Sequence, residues 1–188
     1  ISYDPSFAHE VAVIMHSGLQ RMVGNQENVF FYLTLLNENY AMPGLQPGTE
    51  AEILQGMYLL QPALPGALQV NLLGSGTILR ESVAAKELLE ADWGVGANLW
   101  SCPSFNELAR EGQDAERWNL LHPLEPRRES FVARQLGRTQ GPVVASTDYM
   151  KSYAEQIRAF IPAGRGYRVL GTDGFGRSDF RSRLRQHF

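Results

Sequence analysis

The spacing of apolar and polar positions predicts a helix, then a strand, in the first third of the chain. Residues 4–24 are predicted to be helical, because Asp4-Pro5 suits a helix start and Gly24 a helix end. The apolar positions of this helix are Val11, Met15, Leu19 and Met22. The run VFFYLTLL (29–36) is apolar on both faces, which favours a strand buried inside a parallel sheet. A long loop (37–50), a short helix, a brief extended piece and the linker QPALPG (61–66) follow.

Beyond residue 66 the pattern changes to strands that alternate with helices. Helices are predicted after each strand, and Thr147 or Asp148 is expected to cap the one after the third. This alternation indicates an α/β fold with a mainly parallel sheet and helices on both faces. We place a boundary near residue 66 and expect YLTLL and VNLL to lie in separate sheets. The predicted strands are QVNLL (69–73), VGANLW (95–100), PVVAS (142–146) and YRVL (167–170).

Composition narrows the class of protein. Apolar residues make up 44% and charged residues 20% of the 188 residues, as in soluble globular proteins. No apolar run approaches the roughly 18 residues of a membrane span, and no secretory leader is recognisable. The single cysteine, Cys102, excludes an internal disulfide, so we expect a cytoplasmic protein. The chain begins with Ile1 and ends within a predicted helix, so we expect a piece of a longer protein.

The net charge of −3 is unevenly distributed. Residues 1–66 carry −5 and residues 67–188 carry +2. A basic end can indicate nucleic-acid binding, but Phe180, Leu184 and Phe188 form an apolar stripe, which favours a solvated outer face for the basic residues. These are Arg177, Arg181, Arg183 and Arg185.

A glycine turn, Gly74-Ser75-Gly76, lies between a predicted strand and a predicted helix, where a dinucleotide site begins. Leu79 occupies the place of the third glycine of G-x-G-x-x-G. Ser101 and Cys102 end the next strand, where an acid would bind the ribose. We therefore interpret Gly74 and Gly76 as parts of a turn and expect no ligand there.

A second glycine loop follows the last predicted strand in YRVLGTDGFGRSD (167–179). A strand, a glycine loop and a helix can bind phosphate, but no Gly-Lys-Ser/Thr follows here. We expect Gly171, Gly174 and Gly176 to be structural, with a positive φ at Gly174 or Gly176. Asp173 and Arg177 are expected to pair locally.

Metal and nucleophile signals are weak. The histidines lie too far apart in sequence for a shared metal, and no H-x-x-x-H occurs, so we predict core or surface roles. Cys102 is interpreted as a buried small hydrophobe, because no histidine is near it in sequence. The histidines are His9, His16, His122 and His187.

The strongest polar cluster is Asn37-Glu38-Asn39-Tyr40, directly after the VFFYLTLL run. Ligands of α/β folds favour the carboxyl ends of strands. The cluster is a candidate active-site rim, and a structural or interface role is equally open.

Longer blocks of sequence resemble one family from end to end. YDPSFAHEVAVIMHSGLQRM, NENYAMPG, LLGSGTILRESVAAKELL, RWNLLHP, STDYMK and VLGTDGFGRSD are similar to the homodimeric, bacterial-type first component of the pyruvate dehydrogenase complex, in the transketolase superfamily. The turn GSGT and the pattern D-x-F-G-x-S (173–178) resemble transketolases at large.

The resemblance implies an enzyme that decarboxylates pyruvate on thiamine diphosphate and magnesium, between glycolysis and acetyl-CoA. It would pass the acetyl group to the lipoyl domain of dihydrolipoyl acetyltransferase. Residues 1–66 would be the end of the pyrimidine-binding domain plus linker, and residues 67–188 an incomplete carboxyl-terminal domain that supports the dimer. The family's catalytic, cofactor-binding and metal-binding residues match nothing in this chain, so we expect this segment alone to be inactive.

Two other readings remain open. One is a free-standing interaction module that docks through its acidic first third or basic last helix. The other is a nucleotide-binding domain that uses Gly74-Ser75-Gly76. Neither a nucleic acid nor a membrane is an expected partner.

Overall fold

Residues 1–66, 68–172 and 174–187 are described by a computed structural model. The strands in these residues are β1 (Ser2–Tyr3), β2 (Tyr32–Leu33), β3 (Tyr58–Gln61), β4 (Gln69–Gly74), β5 (Gly96–Ser101), β6 (Val143–Met150) and β7 (Tyr167–Thr172). The α-helices are α1 (Ala8–Leu19), α2 (Glu50–Gln55), α3 (Leu79–Asp92), α4 (Phe105–Leu121), α5 (Phe131–Gly137), α6 (Lys151–Glu155) and α7 (Arg181–His187). A π-helical turn, Gln20–Gly24, extends α1, and 3-10 turns lie at Gly76–Ile78 and Arg158–Phe160.

The main sheet has the strand order β3-β5-β4-β6-β7. Strands β5, β4, β6 and β7 run parallel to one another, and the edge strand β3 pairs antiparallel with β5. In a separate two-stranded sheet, β1 and β2 pair in parallel. The prediction that YLTLL and VNLL lie in different sheets is therefore confirmed, as is the α/β class with a mainly parallel sheet.

Strand residues alternate between two apolar layers, one on each face of the main sheet. In β4, Leu73 faces the layer built from α4, α5 and α6, whereas Leu72 faces the layer built from α1 and α3. In β5, Trp100 faces the first of these layers and Leu99 faces the second. Helices cover both faces, as the alternation of strands and helices along the sequence predicted.

The VFFYLTLL run differs from its prediction. Only Tyr32 and Leu33 form a strand, and their partner is the two-residue β1. The exposed fractions of Phe30 and Leu35 are 74% and 66%. The prediction of a buried strand is wrong for the described residues, because one short partner strand covers so little of its surface.

Helix α1 also turns a different face inward. It begins at Ala8, not near Asp4, and its buried residues are Glu10, Ile14 and Gly18. Met15 and Leu19, from the predicted apolar stripe, are more than half exposed. A stripe of apolar residues alone did not reveal which face packs on the sheet.

Two boundaries shift as well. Strand β6 continues through Thr147 and Asp148 to Met150, so neither residue caps a helix. Its added pair, Met150 with Thr172 of β7, extends the sheet. Strand β3 lies before residue 66 yet belongs to the main sheet. The predicted boundary near residue 66 did not anticipate this, because the pairing of β3 with β5 was invisible in the local pattern.

Candidate functional site

The carboxyl ends of β4, β5 and β6 form the crevice where an α/β sheet would bind a ligand. Strand β4 lies between β5 and β6, so the chain leaves it towards one side and later returns on the other. Such a switch in direction opens a crevice at the carboxyl ends of the strands. The turn 74–76 and the loop 102–104 follow β4 and β5 at this edge.

The amino-terminal segment fills this crevice. The Gly76 amide donates to the Asp4 carbonyl (3.0 Å), and the Asp4 amide donates to the Pro103 carbonyl (2.6 Å). The Ser6 hydroxyl donates to the Gly76 carbonyl (2.8 Å), and the Ser104 hydroxyl donates to the Ser2 carbonyl (2.7 Å). Polar backbone groups that could meet a ligand are thus used to hold residues 2–6.

The Asp4 side chain lies directly against Gly76. A Cβ added at Gly76 would come within 2.4 Å of the Asp4 carboxylate, and Gly76 has a φ of +50°. Thr34 donates a hydrogen bond to Asp4 Oδ1 (2.6 Å). Burial raises the pKa of Asp4, with Asp148 and Glu10 adding to the rise and the hydrogen bond from Thr34 opposing it. The glycine turn therefore packs against the carboxyl group of Asp4 from the same chain.

A fully buried carboxylate, Glu10, continues the contact between α1 and the sheet. Its Oε2 accepts from the Ser6 and Phe7 amides (2.6 and 3.1 Å), which caps α1. Its Oε1 accepts from the hydroxyls of Tyr58 (2.8 Å) and Ser101 (2.5 Å). Burial, together with Glu10, raises the pKa of Tyr58. These hydrogen bonds satisfy a buried acid and hold α1 on β3 and β5.

Cys102 is a buried thiol close enough to Glu10 for that carboxyl group to influence its pKa. It is fully buried, and burial, reinforced by Glu10, raises the pKa of its thiol well above the usual value. The interpretation of Cys102 as a small buried hydrophobe agrees with this position.

A small cavity of about 160 Å³ remains beside Asp4. Asp148 and Tyr149 from β6 and the hydroxyl residues Thr34 and Thr77 line it. A cavity this small falls below the roughly 300 Å³ of ordinary small-molecule sites. A larger surface hollow of about 290 Å³ lies elsewhere, between α4 and α5, and is lined by acids and arginines. No group of three or more His, Cys, Asp or Glu suited to a metal occurs within the described ranges.

The predicted rim cluster is divided by the structure. Glu38 forms an ion pair with Arg80 of α3 (2.8 Å), and the Arg80 guanidinium lies 4.5 Å from the centre of the Tyr40 ring. The Tyr40 hydroxyl donates to the Ser6 carbonyl. Asn37 and Asn39 are exposed. Glu38 and Tyr40 therefore lie in the contact between the amino-terminal segment and α3.

The second glycine loop serves two purposes. Gly171 is closely packed, since an added Cβ would lie 2.7 Å from the Tyr149 carbonyl. Gly174 has a φ of +100°, which confirms the predicted positive φ, and no atom lies within 4 Å of a Cβ added there or at Gly176. Phe175 is fully exposed, so the loop beyond residue 173 is not closely packed. Asp173, with its predicted pairing to Arg177, lies outside the described residues, as does Phe188.

Sequence reasoning missed the residues that fill the crevice. Asp4 was interpreted as a helix cap, and Glu10, Tyr58 and Ser101 carried no motif. A usable signal was the spacing of Glu10, Ile14 and Gly18, four residues apart, which places an acid on a face with a core residue and a glycine.

Two family models match the chain. The transketolase-like C-terminal domain matches residues 56–188, and the pyruvate dehydrogenase E1 component middle domain matches residues 1–43. The first match begins before β3 and so includes the whole main sheet.

Bacterial relatives match along the whole chain. Pyruvate dehydrogenase E1 components of Cupriavidus necator and Escherichia coli K12 are each 57% identical to it, and that of Pseudomonas aeruginosa is 53% identical. In each case all of this chain is covered but only 21% of the relative, so the chain spans about a fifth of their length.

Solved structures agree on the fold. A Pichia stipitis transketolase in complex with sedoheptulose 7-phosphate matches with a TM-score of 0.61 and 15% identity, over 99% of this chain and 22% of that one. Among the helices described here, none is long and apolar enough to cross a membrane.

Proposed function

The chain belongs to the family of transketolase-like C-terminal domains, in the form found in pyruvate dehydrogenase E1 components, and we propose that it supports such an enzyme without holding its cofactor. The whole protein would decarboxylate pyruvate on thiamine diphosphate and magnesium. It would then reductively acetylate the lipoyl group of dihydrolipoyl acetyltransferase, as a cytoplasmic homodimer. Residues 1–43 would end the pyrimidine-binding domain, and residues 56–188 would belong to the carboxyl-terminal domain.

The observation that carries this proposal is the filled crevice. Asp4 and Ser6 occupy the edge of the sheet where a ligand would bind, through hydrogen bonds to Gly76 and Pro103. Thiamine diphosphate would require a magnesium site of well-placed oxygen ligands. The described residues do not fit that requirement, because Asp4 and Glu10 are used in internal contacts and no group of three or more His, Cys, Asp or Glu suited to a metal occurs among them. The cofactor would therefore be held by parts of the protein outside this segment.

The same crevice argues against a nucleotide site at Gly74-Ser75-Gly76. A phosphate at this turn would lie against the Asp4 carboxyl group. Binding of the phosphate is disfavoured there, because both groups carry negative charge when ionised. Calorimetry with millimolar NAD and ATP tests this alternative, and measurable heat of binding would support it.

The expected outcome for activity follows from this placement. The full-length protein, with thiamine diphosphate and magnesium, should release carbon dioxide from pyruvate, whereas the 188-residue chain alone should neither do so nor bind the cofactor tightly. Turnover by the chain alone above the protein-free rate would contradict the proposed location of the site. An inactive full-length protein that still binds the cofactor would contradict the proposed reaction.

The proposed rim is tested in the same assay. Replacing Asn37 or Asn39 by alanine in the full-length protein should lower the rate of carbon dioxide release if these exposed amides border the active site. Glu87→Ala provides the control, because Glu87 is an exposed residue of α3, in the carboxyl-terminal domain and far from the asparagines in sequence. Unchanged rates in both asparagine variants would favour a structural or interface role for this cluster.

A further inference from the structure

A line of hydrogen bonds connects a surface loop to the buried Glu10. His9 Nδ1 lies 2.9 Å from the Pro43 carbonyl oxygen, and His9 Nε2 lies 3.0 Å from the Tyr58 hydroxyl. That hydroxyl in turn lies 2.8 Å from Glu10 Oε1. Pro43 belongs to the loop between β2 and α2, His9 and Glu10 to α1, and Tyr58 to the main sheet.

Counting hydrogen atoms along this line shows that it is one proton short in its ordinary charge state. The Pro43 carbonyl can only accept, so His9 Nδ1 must carry a hydrogen. If the single hydrogen of Tyr58 points to Glu10, then His9 Nε2 must carry one too, and the ring is an imidazolium. If it points to His9 instead, the 2.8 Å contact requires a hydrogen on Glu10. A neutral histidine beside an ionised glutamate satisfies neither arrangement.

We propose that His9, Tyr58 and Glu10 share one additional proton, and that this proton fastens the loop 34–49 to the main sheet at Pro43, beside the separate contacts of Thr34, Glu38, Tyr40 and Gln46. Loss of the proton leaves one of the three contacts without a hydrogen. The His9–Pro43 contact is then weakened directly, or the His9–Tyr58 contact is weakened and the ring is freed to turn. The loop is consequently held less firmly as the pH rises.

The surroundings fix the His9 ring and direct neighbouring carboxylates away from the trio. The His9 ring is stacked on Phe7, with 5.6 Å between ring centres, which fixes its orientation. Glu52 is directed away, towards Gln135 and Arg138, and Glu38 is paired with Arg80. Within the part of the chain that the structure describes, neither a lysine nor an arginine hydrogen-bonds to His9, Tyr58 or Glu10. The other titratable groups that face the trio are Asp4, Tyr40, Glu50 and Cys102. Further along, α1 carries His16, and the π-helical turn packed against it carries Arg21, which is paired with Glu27.

Hydrogen–deuterium exchange of the full-length protein, followed by mass spectrometry, tests the proposal. Protection of amides in residues 34–49 should fall roughly 2- to 10-fold between about pH 6 and about pH 9, after correction for the chemical exchange rate, because about one hydrogen bond is lost. Amides of β4 serve as the internal reference and should keep their protection.

Three variants make the test specific. In Glu10→Gln the amide nitrogen can donate to the Tyr58 oxygen, so no additional proton is needed and the pH dependence should disappear. In His9→Gln it should disappear as well, and this partly exposed site tolerates the change if Glu10→Gln fails to fold. His16→Gln, at an exposed position on the same helix, should keep the dependence of the wild type.

Two results would overturn the proposal. One is a wild-type loop whose corrected protection is the same at both pH values. The other is a pH dependence that survives unchanged in a folded His9→Gln or Glu10→Gln protein. Both readouts concern the loop alone, so they are independent of whether the whole protein decarboxylates pyruvate.

Discussion

Gly76 shows how one residue can be required for two physical reasons at once. Its φ of +50° lies in the left-handed region, and the space for its missing Cβ is taken by the Asp4 carboxylate at 2.4 Å. Gly174 shares the first property, with a φ of +100°, but has open space around it. The two glycines form a matched pair that separates backbone strain from steric exclusion.

Replacing each glycine by alanine should therefore give different losses of stability. Gly174→Ala should lower the free energy of unfolding by about 1 kcal/mol, from the left-handed backbone alone. Gly76→Ala should lower it by about 3 kcal/mol, because displacement of Asp4 adds to the strain. Urea denaturation of both variants measures the difference. Equal losses would mean that the Asp4 contact contributes nothing.

Asp4 should make stability depend on pH. Its pKa is raised in the folded protein, chiefly by burial, so the ionised form is disfavoured there relative to the unfolded chain. Folding takes up a proton between the ordinary and the raised pKa, and stability falls as pH rises through this window. Above the window the full penalty remains, and below the ordinary pKa it is absent.

Asp4→Asn should remove this penalty while keeping an oxygen that accepts from Thr34. The variant should be at least as stable as the wild type at pH 8, and its advantage should shrink as the pH falls to the ordinary range of an aspartate. Urea denaturation across this range is the measurement, with the exposed Asp92→Asn as control. A variant that is less stable than the wild type at pH 8, with a loss that shrinks at low pH, would show that the ionised carboxylate stabilises the fold.

At the scale of elements, the segment 61–66 between β3 and β4 is held in place by hydrogen bonds to α3. Lys86 Nζ donates to the Pro62 carbonyl (2.9 Å), the Ala97 carbonyl (2.8 Å) and Glu90 Oε1 (2.6 Å). Glu90 Oε1 accepts from the Leu64 amide (3.1 Å). Although burial acts to raise the pKa of Glu90, these hydrogen bonds outweigh it and lower the pKa. Helix α3 thus holds the predicted linker against β5.

Lys86→Met should release this segment. The change removes the cation paired with Glu90 and the donor to two carbonyl groups, and we expect the free energy of unfolding to fall by about 3 kcal/mol. Proteolysis within residues 61–66 should become faster. Glu87→Ala, one residue along on the exposed face of α3, should change stability by less than about 0.5 kcal/mol. A linker equally resistant to protease in both variants would contradict the role of Lys86.

At the scale of the whole molecule, the amino-terminal segment and the main sheet share one core. Tyr3, Phe7 and Ile14 pack in the same apolar cluster as Leu72 and Leu99. Hydrogen bonds from Tyr58 and Ser101 to Glu10 also join the amino-terminal segment to the main sheet. The two family models describe two domains, yet their residues meet in a continuous interface here. For this reason the filled crevice is a property of the combination and belongs to neither part alone.

The local sequence pattern was sufficient for most elements of the main sheet. Runs such as QVNLL and VGANLW are short, largely apolar and followed by turn or helix-start residues, and each became a strand within one residue of its predicted start. Ser104 and Ser130 each accept a backbone hydrogen bond at a helix start, which a capping residue before an apolar run predicts. Such features depend on neighbours in sequence, so the sequence by itself determined them.

Tertiary structure alone decided the contents of the crevice and the role of the polar residues around it. Ser101 and Glu10 are 91 positions apart, and Ser6 and Gly76 are 70 apart. Nothing in the sequence near Glu10 specifies that its hydrogen-bond donors come from β3 and β5. Likewise, nothing near Asp4 specifies that its side chain packs against a glycine 72 positions later. Periodicity reports which faces are apolar, whereas burial of a carboxylate depends on which distant donors the fold brings to it. The sequence therefore determined the α/β elements and the family, and the packing of residues 2–10 on the sheet decided that the crevice is filled from within.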